Sequence, residues 1–139
     1  MDTIYAEDLN YWKTGTSSPD TWLDQAKKEI TQAGGKILSE AYGSENGRSA
    51  YMLAFAFGDD NFKAVWPVLQ SRAKNEKAAR IQAATMLHHD IKNSCLKVKI
   101  FGARAAFFQY MLLPDGRNTT QAANMDIAEL FPKLLTATG

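Results

Sequence analysis

From Trp22 to Ala33 the apolar residues Trp22, Leu23, Ala26, Ile30 and Ala33 recur at spacings of three and four, the period of a helix with one buried face. Ser18-Pro19-Asp20 supplies its start: a hydroxyl to cap it, a proline where the first helical N–H has no partner anyway, and an acid in the first turn. Gly34-Gly35 supplies the left-handed stop. The period then changes to two. Three strands are expected at 36–42, 48–57 and 62–69, separated by Gly43-Ser44-Glu45-Asn46-Gly47 and Gly58-Asp59-Asp60-Asn61, both of hairpin composition. In the middle strand Tyr51, Leu53, Phe55 and Phe57 alternate with Ala50, Met52, Ala54 and Ala56, so both faces are apolar, as in the centre of a sheet. Pro67 cannot donate to a ladder, which puts the third strand at an edge or a bulge.

Helical spacing resumes after Ser71. Ala78, Ile81, Ala84, Leu87, His88, Ile91, Cys95 and Val98 predict a second helix from 75 to about 101, although Leu96-Lys97-Val98-Lys99-Ile100 also alternates like a half-buried strand. A further strand is expected at 106–113, closed by the turn Pro114-Asp115-Gly116, and a third helix from Asn124 or Asp126 to Leu135. Residues 1–17 read as an N-terminal arm that packs through Tyr11 and Trp12. The expected architecture is a single α+β domain over 1–139, in the order α-β-β-β-α-β-α, with an antiparallel sheet packed against helices.

At 139 residues and 45% hydrophobic types the chain can bury one core without a disulfide or structural metal. It has no run of eighteen apolar residues, and its start is acidic where a signal peptide is basic and then apolar, which argues against membrane spans and secretion. The lone Cys95 excludes an internal disulfide framework and fits the cytoplasm.

Net charge is +1, but it is unevenly spread. Residues 1–60 carry five Lys or Arg against ten Asp or Glu, a balance of −5; residues 61–117 carry ten against three, a balance of +7. Such asymmetry points to a polyanion-binding face, or to a surface whose acidic half meets the basic half of a neighbour.

Few residues suggest chemistry. His88-His89-Asp90 are consecutive on a helix and so point about 100° apart, which prevents all three from meeting one ion; His88 is expected on the buried face. Cys95 lies seven residues from His88, ~10 Å along the helix, too far for a nucleophile and its base. Asp59-Asp60 sit in a hairpin turn, and Gly34-Gly35-Lys36 ends a helix where a phosphate loop would open one. No catalytic residue, metal ligand or cofactor is expected. The basic group Arg72, Lys74, Lys77 and Arg80 surrounds the start of the second helix, and with Lys92 it could track a phosphate backbone. Trp66 is the candidate stacking residue.

Two resemblances bear on this. The order helix, three strands, helix, with Asn75-Glu76-Lys77-Ala78-Ala79-Arg80-Ile81-Gln82-Ala83-Ala84 opening the second helix, resembles the double-stranded-RNA-binding domain over about residues 19–92. That resemblance implies phosphate contacts at Lys74, Lys77 and Arg80. Here Gly43-Ser44-Glu45-Asn46-Gly47 replaces the family's glycine-proline-x-histidine loop, and the first helix carries Asp20, Asp24 and Glu29. Trp66-Pro67-Val68-Leu69, the stretch from Gln82 to Lys92 and Leu113-Pro114-Asp115-Gly116-Arg117 resemble an uncharacterised family of small bacterial proteins associated with phage or mobile elements. The expectation is a non-enzymatic nucleic-acid-binding protein, for DNA or RNA; the alternative is a homo-oligomeric structural or interaction protein.

Overall fold

The computed structural model describes residues 3–123. Helix α1 spans Pro19–Gln32, and Ser18 caps it, its Oγ accepting from the Thr21 N–H at 3.3 Å. Gly34 closes it at φ +101°, a backbone that side-chain-bearing residues rarely adopt. Gly35 is needed for a different reason: a Cβ there would stand 2.7 Å from Ile30 and 2.8 Å from the Phe57 ring.

Strands β1 (Lys36–Glu45), β2 (Arg48–Phe57) and β3 (Asp60–Val68) form an antiparallel sheet in the order β1-β2-β3. Asn46 and Gly47, both at positive φ, make the two-residue turn between β1 and β2 whose twist matches that of the strands. On one sheet face Tyr51, Leu53, Phe55, Phe62 and Ala64 pack beneath α1 and helix α2 (Glu76–Phe101). Leu23, Ala26 and Ile30 of α1, with Ala84, Leu87 and Ile91 of α2, close this core.

β3 is an edge strand, and Pro67 fits there. Asn61 C=O accepts from the Leu112 N–H at 3.0 Å and Lys63 C=O from Asn118 Nδ2 at 2.6 Å, both on the side away from β2. By the alternation of an antiparallel ladder, Val65 and Pro67 face the same way, so the missing proline N–H removes no bond to β2.

The segment 106–113, expected as a strand, is mostly helical turn. Gly102 at φ +87° ends α2; the chain then forms α3 (Ala103–Ala106) and a 3-10 turn at Phe108–Tyr110. Among the described residues it pairs through isolated bridges, Phe62 with Met111 and Leu112 with Asn118. The reason is the spacing of the buried residues. Phe107 and Tyr110 are three apart and both reach the core, which a turn of helix allows and a strand does not. The helix α4 (Thr119–Ala123) was not anticipated, and the helix expected from Asn124 or Asp126 lies outside the described residues.

The N-terminal arm is tied down by backbone bonds as well as by Tyr11. Ala6 is fully buried, its N–H donates to Gln70 C=O at 2.8 Å, and buried Gln82 donates through Nε2 to Ala6 C=O and Asn10 C=O. Tyr11 stacks on His89 at 4.9 Å between centroids. The arm thus covers one side of α2, which is why so much of that helix is buried. No helix among the described residues is long and apolar enough to cross a membrane.

Candidate nucleic-acid interface

The six candidate residues are dispersed by the fold. Lys77 and Arg80 share a cleft of about 450 Å³ with Thr16, Ser18, Pro19 and Glu76, where α1 and α2 both begin. Asn75 caps α2, its Oδ1 accepting from the Ala78 N–H at 3.1 Å. Lys74, at φ +55°, is exposed and lines an adjoining cleft of about 410 Å³ that also has Glu76 in its wall.

Arg80 is held and yet available. Its Nε donates to the Tyr51 hydroxyl at 3.0 Å, and its guanidinium lies 4.4 Å from the Tyr42 ring centroid. Both Nη groups bond nothing among the described residues. The hydrogen bond to Tyr51 raises the Arg80 pKa, and burial raises that of Tyr51, so the arginine is the charged member of the pair. An oriented guanidinium with both Nη groups free suits a phosphate oxygen pair.

Arg72 is in the opposite condition. Its Nη1 and Nη2 donate to Asp8 at 2.6 and 2.9 Å, and the guanidinium stacks on Tyr5 at 4.5 Å. Glu7 binds the same turn, accepting from the Ser71 hydroxyl and from the N–H groups of Arg72 and Ala73. Desolvation raises the Glu7 pKa, but these hydrogen bonds outweigh it and hold the carboxyl at about 2. Arg72 therefore fastens the arm.

Lys92 is exposed but fifteen residues from Lys77, about 22 Å along the helix. Trp66 is half-buried, opposite Tyr51 in the register, and lines a cleft at the β3 edge rather than the one at Lys77 and Arg80.

Neither family models, curated proteins nor solved structures match this chain. The site therefore rests on its own geometry.

Other chemistry finds little support in that geometry. Among the described residues no group of three or more His, Cys, Asp or Glu is placed to hold a metal. His88 is buried beside Trp22, and desolvation followed by the neighbouring His89 lowers its pKa. Burial pushes the Cys95 thiol up to about 11, far from a thiolate at neutral pH. Asp60 opens β3 and pairs with Arg104 at 2.8 Å.

The residues that sequence reading did not connect with the site are Tyr51 and Tyr42, which hold Arg80, and Glu7 and Asp8, which occupy the Arg72 turn. For the tyrosines a signal existed: they lie opposite each other across the Asn46-Gly47 hairpin, and hairpin register follows from turn length. For Asp8 and Arg72, 64 residues apart, no local pattern exists.

Proposed function

We propose that this protein binds the sugar-phosphate backbone of a nucleic acid at the cleft where α1 and α2 begin, with Lys77 and Arg80 as phosphate contacts and Lys74 beside them. The observation that carries the reading is Arg80: fixed through Nε and its ring-facing surface, with both Nη groups bonded to no acceptor among the described residues. The hydroxyls of Thr16 and Ser18 and the positive ends of two helices add donors and potential, which Glu76 partly offsets. Both helices lie on one face of a three-stranded antiparallel sheet, the arrangement in which the double-stranded-RNA-binding domain presents a basic second-helix start. A single buried, unpaired cysteine fits action in the cytoplasm.

The test is fluorescence anisotropy with labelled single- and double-stranded DNA and RNA at low and physiological salt. Binding should weaken with salt, and the double variant Lys77→Glu, Arg80→Glu should lose it while remaining folded, with its unfolding free energy lowered by about 1 kcal/mol, that of the Arg80–Tyr51 bond. The single changes to Gln should each reduce the log-log salt slope by about 1. Unchanged affinity in the double variant removes the site.

A second reading, self-association, is favoured by a separate observation. At the far end of α2 and just beyond it, Leu96, Ile100, Phe101 and Phe108 are 60–73% exposed. Light scattering at micromolar concentration tests it: a dimer that Ile100→Glu dissociates supports the reading, and a monomer ends it.

A further inference from the structure

The cleft at the β3 edge is a second candidate binding site, on the other side of α2. It measures about 390 Å³, within the range of small-molecule sites, and Leu9, Trp66, Pro67, Leu69 and Met86 are among its apolar lining. Met86 is nine residues from Lys77, about 180° round the helix, so this cleft and the basic one open on opposite sides.

Its polar lining includes Asp90. The Oδ2 of Asp90 accepts from Gln109 Nε2 at 2.9 Å and from the Tyr110 hydroxyl. No bond engages Asp90 Oδ1 or Gln109 Oε1 among the described residues, and no Lys or Arg pairs with this acid. Val65 also lines the cleft, and its C=O and N–H face the free edge of the sheet by the alternation set by Asn61 and Lys63. Thr120 donates its hydroxyl to Gln109 C=O and leaves Oγ1 as an acceptor. One of these acceptors is a carboxylate oxygen, and the rest of the wall is mostly apolar with an indole in it.

We infer that the β3-edge cleft binds a compact organic cation, an amine with a flat apolar body, whose ammonium group meets Asp90 Oδ1 while the body lies among Trp66, Leu69 and Met86. A carboxylate oxygen without a protein partner on an apolar wall selects a cation over a neutral isostere through a charge-assisted hydrogen bond, and the indole adds attraction for the same charge. Asp90 is well fixed for the task. Burial, and then the adjacent Asp90, push the Tyr110 hydroxyl well above its ordinary range, so it stays a donor to Oδ2 and leaves Oδ1 for the ligand.

The test uses 2-phenylethylamine, with 2-phenylethanol as the neutral isostere and 3-phenylpropionate as the anion, each titrated to millimolar concentration against the isotope-labelled protein by NMR. The amine should shift the Trp66 indole, Val65 and Gln109 signals, bind at least about tenfold more tightly than the alcohol, and leave the signals of Lys77 and Arg80 in place; the acid should shift none of them. Asp90→Asn should bring amine and alcohol to equal affinity. Met86→Trp, which fills the cleft and spares the Asp90 network, should abolish binding of both, and it decides alone if Asp90→Asn does not fold. Equal affinity for amine and alcohol in the wild type, shifts that persist in Met86→Trp, or no shift with millimolar amine would each overturn the inference.

Discussion

Arg72 and Arg80 stand eight residues apart in one basic stretch, and the fold gives them opposite conditions. Asp8 takes both Nη groups of Arg72, whereas Tyr51 and Tyr42 take the Nε and a flat surface of Arg80. An acid neutralises the arginine it orients; a tyrosine orients without neutralising. Local charge density is therefore a poor guide to which cation can receive a phosphate, because the deciding partner comes from elsewhere in the chain: the arm for one, the first hairpin for the other.

The change expected to disturb this contrast most is at the anchor of the arm. Gln82→Leu leaves Asn10 C=O without its donor, removes one from Ala6 C=O, and should cost about 2 kcal/mol in denaturant unfolding. With the arm loosened, Asp8 no longer stands fixed against Arg72, and the Arg72 side-chain N–H resonances should move towards free guanidinium values. Arg80 should not notice, since its partners lie in β1 and β2. If both arginines change together, the two regions are not independent.

Tyr51→Phe attacks the other side of the contrast. It removes the acceptor for Arg80 Nε at a half-buried site and should cost about 1 kcal/mol. Nucleic-acid affinity should fall severalfold, because Arg80 keeps its charge and loses its aim. Full retention of affinity would mean that orientation is irrelevant, leaving only a diffuse basic surface.

How much of this was readable beforehand follows from range. The cap at Ser18, the stop at Gly34, the alternation of β2, the edge position of Pro67 and the Asn75 start of α2 are each set by residues within a few positions, and each stands in the structure where the sequence places it. The stretch 106–113 misled because a short aromatic run satisfies both periods: Phe107 and Tyr110 reach the core through a turn of helix while Phe108 and Gln109 stay outside. Lys77 and Arg80 could be paired from helical spacing alone. That Arg72 belongs to the arm, that Trp66 belongs to another cleft and that Tyr51 holds Arg80 depend on contacts 29 to 64 residues apart or on which edge of the sheet is covered.

Freeing Arg72 without loosening the arm sharpens the contrast by a smaller step. Asp8→Asn keeps the shape of the side chain, removes its charge and releases the guanidinium from a charged partner. If Arg72 then reaches the bound backbone, the log-log salt slope steepens by about 1, the signature of one added phosphate contact. That is the expected result, since Arg72 lies in the loop leading into α2. A slope equal to the wild type would place Arg72 off the track of the nucleic acid and confine the interface to the cleft between the helix starts.

The smallest effect is one of pH, and its sign follows from Glu7. Its folded pKa of about 2 lies below the ordinary 4.5, so the contribution of this carboxylate is fully present above about pH 4.5 and is lost as pH falls towards 2. Protonation turns one acceptor oxygen into a hydroxyl and weakens the bonds from Ser71, Arg72 and Ala73, so the Arg72 and Ala73 amide signals should titrate with the Glu7 carboxyl carbon, near pH 2. The Arg80 side chain carries no such dependence: hydrogen bonding to Tyr51 raises its pKa, and both groups keep their protons throughout the acidic range. Glu7→Gln should erase the transition at Arg72 and Ala73 while leaving Arg80 as it was. A shared midpoint at Arg80 would instead mean that the acidic arm and the tyrosine-held arginine respond as one unit, and the contrast between them would fail.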